Sequence, residues 1–180
     1  MHNVPFPRSY WVLPREFLAG YYPGDIDQQV MQEKLQSLFN YGIRAIINLM
    51  EENETNHNGQ SFISYRPVWT RLGISTGNKL FYGQVPIQDL SIPTESTMVS
   101  VLDLIDSFLA KYLPVYVHCW GGRGRTGTVV GCWLVRHDKT RGKEVLRTIQ
   151  ELRKDEATSY LPSPETAQQI RLVCSWQKGQ

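Results

Sequence analysis

Three cysteines in 180 residues are too few and too irregularly spaced for a disulfide framework or a zinc cluster. Cys119, Cys132 and Cys174 instead suit a reducing compartment, in which a thiolate can persist. Long apolar runs are missing as well. No window approaches the roughly 18 apolar residues of a membrane-spanning helix, and the leading MHNVPFPRSYW has no basic segment feeding an apolar one. Neither an integral membrane segment nor a secretion signal is therefore expected, and the cytoplasm is the default location. Charge is nearly balanced, net +2 with a pI near 8.4, which excludes the basic excess of a general nucleic-acid or membrane-surface binder. Repeats, low-complexity tracts and interdomain linkers do not occur. With 41% hydrophobic residues the chain can fill one core but is short for two. One domain is expected over residues 1–180, monomeric, with the proline- and aromatic-rich residues 1–10 as an extended arm.

What is present is concentrated in Val115 to Gly127, VYVHCWGGRGRTG. The stretch starts as a β-branched and aromatic run suited to a buried strand, crosses a loop with glycines at 121, 122 and 124, and enters a helix at Arg125 or Thr126. Glycines allow positive φ, so the backbone N–H groups of residues 120 to 125 can converge on one anion. The unsatisfied amides and dipole of the following helix add positive potential there. Arg125, with its planar fork of donors, can hold two oxygens of a tetrahedral dianion. Trp120, Gly121, Gly122, Arg123, Gly124 and Arg125 are thus the candidate phosphate-binding residues. Cys119, at the base of that cup, sits in a potential that favours the thiolate and is the candidate nucleophile. An already ionised sulfur needs no base, so His118 is read as a support for the loop. A lone cysteine at a strand end is commonly core packing; the ordered combination is what points to chemistry. No Gly-Lys-Ser/Thr follows, which excludes a Walker-type phosphate loop.

His118, Cys119, Arg125, Thr126 and Gly127 resemble the signature His-Cys-x5-Arg-Ser/Thr-Gly of the cysteine-dependent protein tyrosine phosphatase superfamily, a likeness that extends over residues 10–176. The resemblance implies an α/β fold: a single domain with a central, mostly parallel sheet of four or five strands, helices on both faces and the site at the carboxyl ends of the strands. It also implies attack by Cys119 on phosphorus, a phosphocysteine intermediate, oxyanion binding by Arg125, and no metal or other cofactor. The PIQDLSIPTE stretch, residues 86–95, resembles the acid loop of the dual-specificity branch. Asp89, 30 positions before Cys119, is then the general acid, and Glu95, its competitor, belongs to a first helical turn. Thr126 would donate to the departing sulfur. Gln169 could match the second of two glutamines carried by phosphotyrosine-only members, whereas Glu165 stands where the first, water-positioning one would be.

The substrate expected first is a phosphorylated protein or peptide. Trp120, just after the cysteine, makes an aromatic rim suited to a phenyl phosphate. Arg123 opens the alternative of inositol phosphates or phosphoinositides, against a reading as an outward, solvated arginine. A phosphoprotein-binding module without turnover is weighed against the retained Cys119, and a rhodanese-like sulfurtransferase against the Arg-Thr-Gly and Pro-Ile-x-Asp patterns.

Elsewhere, WVLP and EFLAG read as two short strands around Pro14, and residues 26–41 as a helix capped by Asp25 and stopped by Gly42. Residues 43–50 read as a buried strand and 51–61 as a polar loop in which His57 is solvated and Glu51, Glu52 and Glu54 form a hydrated face. Residues 63–68 read as a possible strand, 69–80 as an irregular insertion and 81–87 as a strand. Thr94 caps a helix from Glu95 to about Tyr112. A buried helix follows from Arg125 to about His137, in which Cys132 is packing rather than a redox partner, then one from Thr140 to about Asp155. A last helix is capped by Ser163, opened by Pro164 and ends near Trp176.

Overall fold

The two apolar runs on either side of Pro14 form β1 (Ser9–Leu13) and β2 (Phe17–Gly20), which pair antiparallel. The computed structural model describes residues 4–180. β1 begins inside the stretch expected as an arm, of which residues 1–3 lie outside the described residues. β3 (Ala45–Asn48), β4 (Phe81–Gln84) and β5 (Val115–His118) complete a five-stranded sheet in the order β1-β2-β5-β3-β4. All pairings beyond the first are parallel. β2, β3 and β5 are buried throughout, which accounts for their continuous apolar runs, whereas β4 closes one edge half-exposed. The register sets Gly20, Asn48 and His118 level at the carboxyl edge. The loops that follow these three residues therefore meet in one place.

Six helices flank this sheet among the described residues: α1 (Gln28–Asn40), α2 (Arg66–Thr76), α3 (Glu95–Leu109), α4 (Gly124–Arg136), α5 (Glu144–Leu152) and α6 (Ala167–Ser175). α1 and α2 pack on each other, while α4 lies against β2 and β5 and is surrounded by α3, α5 and α6. Residues 124–135 are all buried, as the all-round apolar pattern of this helix requires. α3 is capped by the Thr94 hydroxyl and buries Met98, Val101, Leu102, Ile105 and Phe108, the face its spacing defines.

Several local expectations are corrected. The α1 cap is Asp27, whose carboxylate takes the amides of Gln29 and Val30, and Ile26 turns out to solvent. Residues 66–76 form a helix rather than part of a strand and an insertion. Its anchor is Trp69, fully buried with its indole N–H on the Phe81 carbonyl at 3.0 Å. α5 begins at Glu144 rather than near Thr140. The last helix starts at Ala167: Thr166 caps it, in a capping box with Gln169, and Ser163 and Pro164 belong to the preceding loop.

Candidate active site

β5 delivers Cys119 to the carboxyl edge of the sheet, and α4 starts five residues later at Gly124. Gly122 makes the intervening turn. Its φ is +76°, and a Cβ there would stand 2.6 Å from the Gly20 backbone, so only glycine fits. Outward contacts fix the direction of each peptide. The Cys119 carbonyl meets His118 Nδ1 at 3.1 Å, that of Trp120 accepts from the Tyr22 amide at 3.0 Å, and that of Gly121 accepts from Arg8 Nη2 at 2.9 Å. The Arg123 carbonyl accepts from Ser163 Oγ at 2.8 Å. In a trans peptide the N–H of the next residue points opposite to the C=O. The amides of Trp120, Gly121, Gly122 and Gly124 therefore turn away from these partners, into the concavity above Cys119. Arg8, from the N-terminal stretch, is a structural member of this cup that no local pattern announced.

His118 is fully buried. Facing a carbonyl, Nδ1 must carry the proton, so Nε2 accepts from the Tyr65 hydroxyl at 2.5 Å. Burial first, with the neighbouring Arg125 cation acting in the same sense against the Cys119 carbonyl contact, pushes its pKa down to about 3. The ring is therefore neutral and anchored at both nitrogens.

Arg125 is 1% exposed. Its Nη1 and Nη2 both donate to Glu54, at 2.6 and 2.7 Å, and Nη1 also to the Ile87 carbonyl at 3.1 Å. Asp89 lies 2.9 Å from Nη2 on an exposed loop. Burial acts against the cation, but hydrogen bonding to Glu54 and the negative charge of Cys119, Glu54 and Asp89 outweigh it and hold the pKa above the ordinary arginine value. Arg125 Nε, by contrast, is buried with no partner. One edge of the fork is thus fixed by Glu54, and the other has an N–H in reserve for an anion.

Glu51 and Glu52 are exposed as expected, but Glu54 departs from that hydrated face: its side chain is 8% exposed. The aromatic rim holds its loop. Trp120 packs on His57, ring centroids 4.4 Å apart, and on Phe62 at 5.4 Å, while the Tyr22 hydroxyl donates to the Ile63 carbonyl. His57 is exposed but lies on Trp120, not free in a loop. Arg123 is no outward cation either; it pairs with Glu165. The Thr126 hydroxyl donates to the Gly20 carbonyl at 3.4 Å. Gln169 is fully buried, its Oε1 taking the amides of Glu165 and Thr166 and its Nε2 donating to the Ser91 carbonyl, which ties the loop of Asp89 to α6. Burial pushes the Cys132 thiol well up, as a packing cysteine requires. Among the described residues no group of three or more His, Cys, Asp or Glu side chains is placed to hold a metal ion.

Residues 23–139, most of the chain, match the family described as polymorphic toxin system, DSP-PTPase phosphatase. The chain belongs to this phosphatase family. Among curated relatives, mouse dual specificity protein phosphatase CDC14B is 27% identical over 134 residues, covering 71% of this chain and 24% of its own length. The chain spans 24 to 51% of the length of the curated relatives it matches. Of solved structures, a mutant form of Tk-PTP superposes with a TM-score of 0.68 at 20% identity, covering 93% of this chain and 92% of that one. PTPMT1 in complex with PI(5)P gives 0.66 at 17% identity, covering 93% of each. These superpositions show the phosphatase family's fold over 93% of the chain.

Proposed function

We propose that this chain is a metal-independent phosphomonoester hydrolase of the dual-specificity type, acting through a phosphocysteine. The observation that carries the reading is the buried, unpartnered Nε of Arg125 beside a cup of inward amides above Cys119. A dianion in that cup is gripped by the amides of residues 120–125 and the free edge of Arg125, and takes the place of Asp89 on Nη2. The Cys119 thiolate then attacks phosphorus in line: the S–P bond forms as the P–O bond breaks, and the leaving oxygen takes a proton from Asp89, which acquired it from solvent on its release from Arg125. In the second half Asp89 takes a proton from water, whose oxygen bonds to phosphorus. The S–P bond breaks, and sulfur returns as thiolate, eased by the Thr126 hydroxyl, which turns from the Gly20 carbonyl to donate to it. Preorganised donors around the equatorial oxygens supply the largest contribution.

A phosphorylated tyrosine or threonine peptide is the substrate class we favour, because Trp120, His57 and Phe62 form an aromatic edge at the pocket. Inositol phosphates or phosphoinositides are the second reading, supported by the loop arginine Arg123. Three free cysteines suit a reducing, cytoplasmic location, and no helix among the described residues is long and apolar enough to cross a membrane. We take residues 1–180 as one catalytic domain acting as a monomer. Hydrolysis of a small aryl phosphate in the presence of a chelator tests the mechanism. Cys119→Ser should abolish it, and Asp89→Asn should slow it by about 10²-fold or more while leaving substrate binding intact. Full turnover by the serine variant would reject the nucleophile.

A further inference from the structure

Arg123 stands at the centre of the phosphate loop, yet both its ends are taken up by one segment. Its carbonyl accepts from Ser163 Oγ at 2.8 Å, and its guanidinium is paired with Glu165. The pair is partly shielded, with side chains 18% and 32% exposed. Glu165 is itself held from behind, its amide donating to Gln169 Oε1 at 3.1 Å. The fit is close: a Cβ on Gly124 would come within 3.1 Å of Glu165 Oε2 and 3.2 Å of the Gln169 amide group. The carboxylate is therefore braced against the mouth of the cup rather than hanging in solvent, and the one loop cation able to meet a second anionic group is already neutralised.

We propose that Glu165 is a specificity-determining residue, which holds Arg123 out of use and so selects substrates with a single phosphomonoester over those carrying a second phosphate beside the one cleaved. This rests on the phosphatase reading of the same site. A monoester needs only the inward amides and Arg125, and leaves the pair intact. A vicinal bisphosphate profits from Arg123 only by breaking the Arg123–Glu165 bond and accepting a carboxylate next to its second phosphate, a like-charge juxtaposition that weakens binding. Glu165 thus uses the position of the expected water-positioning glutamine for charge discrimination.

Binding to the inactive Cys119→Ser protein tests this without turnover, by calorimetry with inorganic phosphate and with a soluble inositol bisphosphate bearing adjacent phosphates. Adding Glu165→Gln should raise the affinity ratio, bisphosphate over phosphate, by about fivefold, the size of one partly shielded ion pair. Loss of a negative charge could by itself favour the more highly charged ligand; adding Arg123→Ala separates the two. The gain must vanish in the Arg123→Ala/Glu165→Gln background if Arg123 is the group released. An unchanged ratio, a gain that survives removal of Arg123, or no binding of either ligand overturns the proposal. In the catalytic protein, Glu165→Gln should raise kcat/KM for the inositol bisphosphate relative to that for a small aryl phosphate, through KM. Failure of the wild-type chain to hydrolyse any phosphomonoester would sink the phosphatase reading alone, since the binding ratio does not depend on turnover.

Discussion

At the scale of single residues, the arginine proposed to meet phosphate is only as well aimed as the carboxylate behind it. Glu54 is the least legible member of the site, because its partner lies 71 positions away and its neighbours are all polar. Nothing local distinguishes it from Glu51 or Glu52, which are exposed. Removing it leaves Arg125 buried with Asp89 as its remaining anion. Glu54→Ala should cost about 3 kcal/mol of stability, as breakage of a buried pair does. The loss of aim should lower kcat/KM for an aryl phosphate by about ten- to a hundredfold. Saturating inorganic phosphate supplies a replacement anion, so the rise in Tm on its addition should be larger for the variant than for the wild-type chain. Equal Tm shifts with unchanged kcat/KM would show that Glu54 does not position Arg125. Cys119, Arg125 and the loop glycines stand out as candidates for the opposite reason: the pattern they form lies within seven residues of sequence.

At the scale of elements, legibility followed whether an element's partners are local. α3 was plain because its Thr94 cap and apolar stripe are self-contained. α2 was hidden because Gly73 and Ile74, a helix-weakening residue and an exposed apolar one, blur its periodicity, while Trp69 is held by distant Phe81. The start of α6 was misplaced because Ser163 looks like a cap, yet spends its hydroxyl on Arg123; Thr166 and Gln169 do the capping. Gln169 does two jobs, and they can be separated. Thr166→Ala removes the cap and should cost about 1 kcal/mol of stability with kcat unchanged. Gln169→Leu removes both the cap and the tether to Ser91 on the loop of Asp89, so kcat should fall about tenfold with little change in KM if Asp89 is the acid we propose, since a displaced acid forfeits part of its contribution. Stopped-flow or steady-state kinetics on the two variants, read beside their melting curves, distinguish a tether from a mere cap. If both variants lose stability but neither loses kcat, α6 does not hold the acid loop.

For the whole molecule, one buried ring couples folding to pH. The sheet order puts β5 in the centre, with His118 at its end between Gly20 of β2 and Asn48 of β3, and Tyr116, Tyr65 and Tyr22 around it. No local feature of the sequence foretells this enclosure, because it is assembled from strands and loops spread between residues 20 and 118. The native ring resists protonation until about pH 3, against an ordinary value of 6.5. Above 6.5 neither the folded nor the unfolded chain binds this proton, and stability is unaffected. Below 6.5 the unfolded chain takes it up and the native one does not, so unfolding is favoured increasingly as pH falls, by about 1.4 kcal/mol per unit, until the native ring protonates near pH 3. Denaturant titrations at pH 7.5 and 5.5, above most carboxylate titration, should therefore show the wild-type chain losing about 1 kcal/mol. His118→Asn keeps a side chain of polar character without the titrating ring, and should be less stable at pH 7.5 but nearly flat between the two values. A variant that retains the wild-type slope would mean that the acid sensitivity resides elsewhere and that His118 is not sealed from protons by the folded sheet.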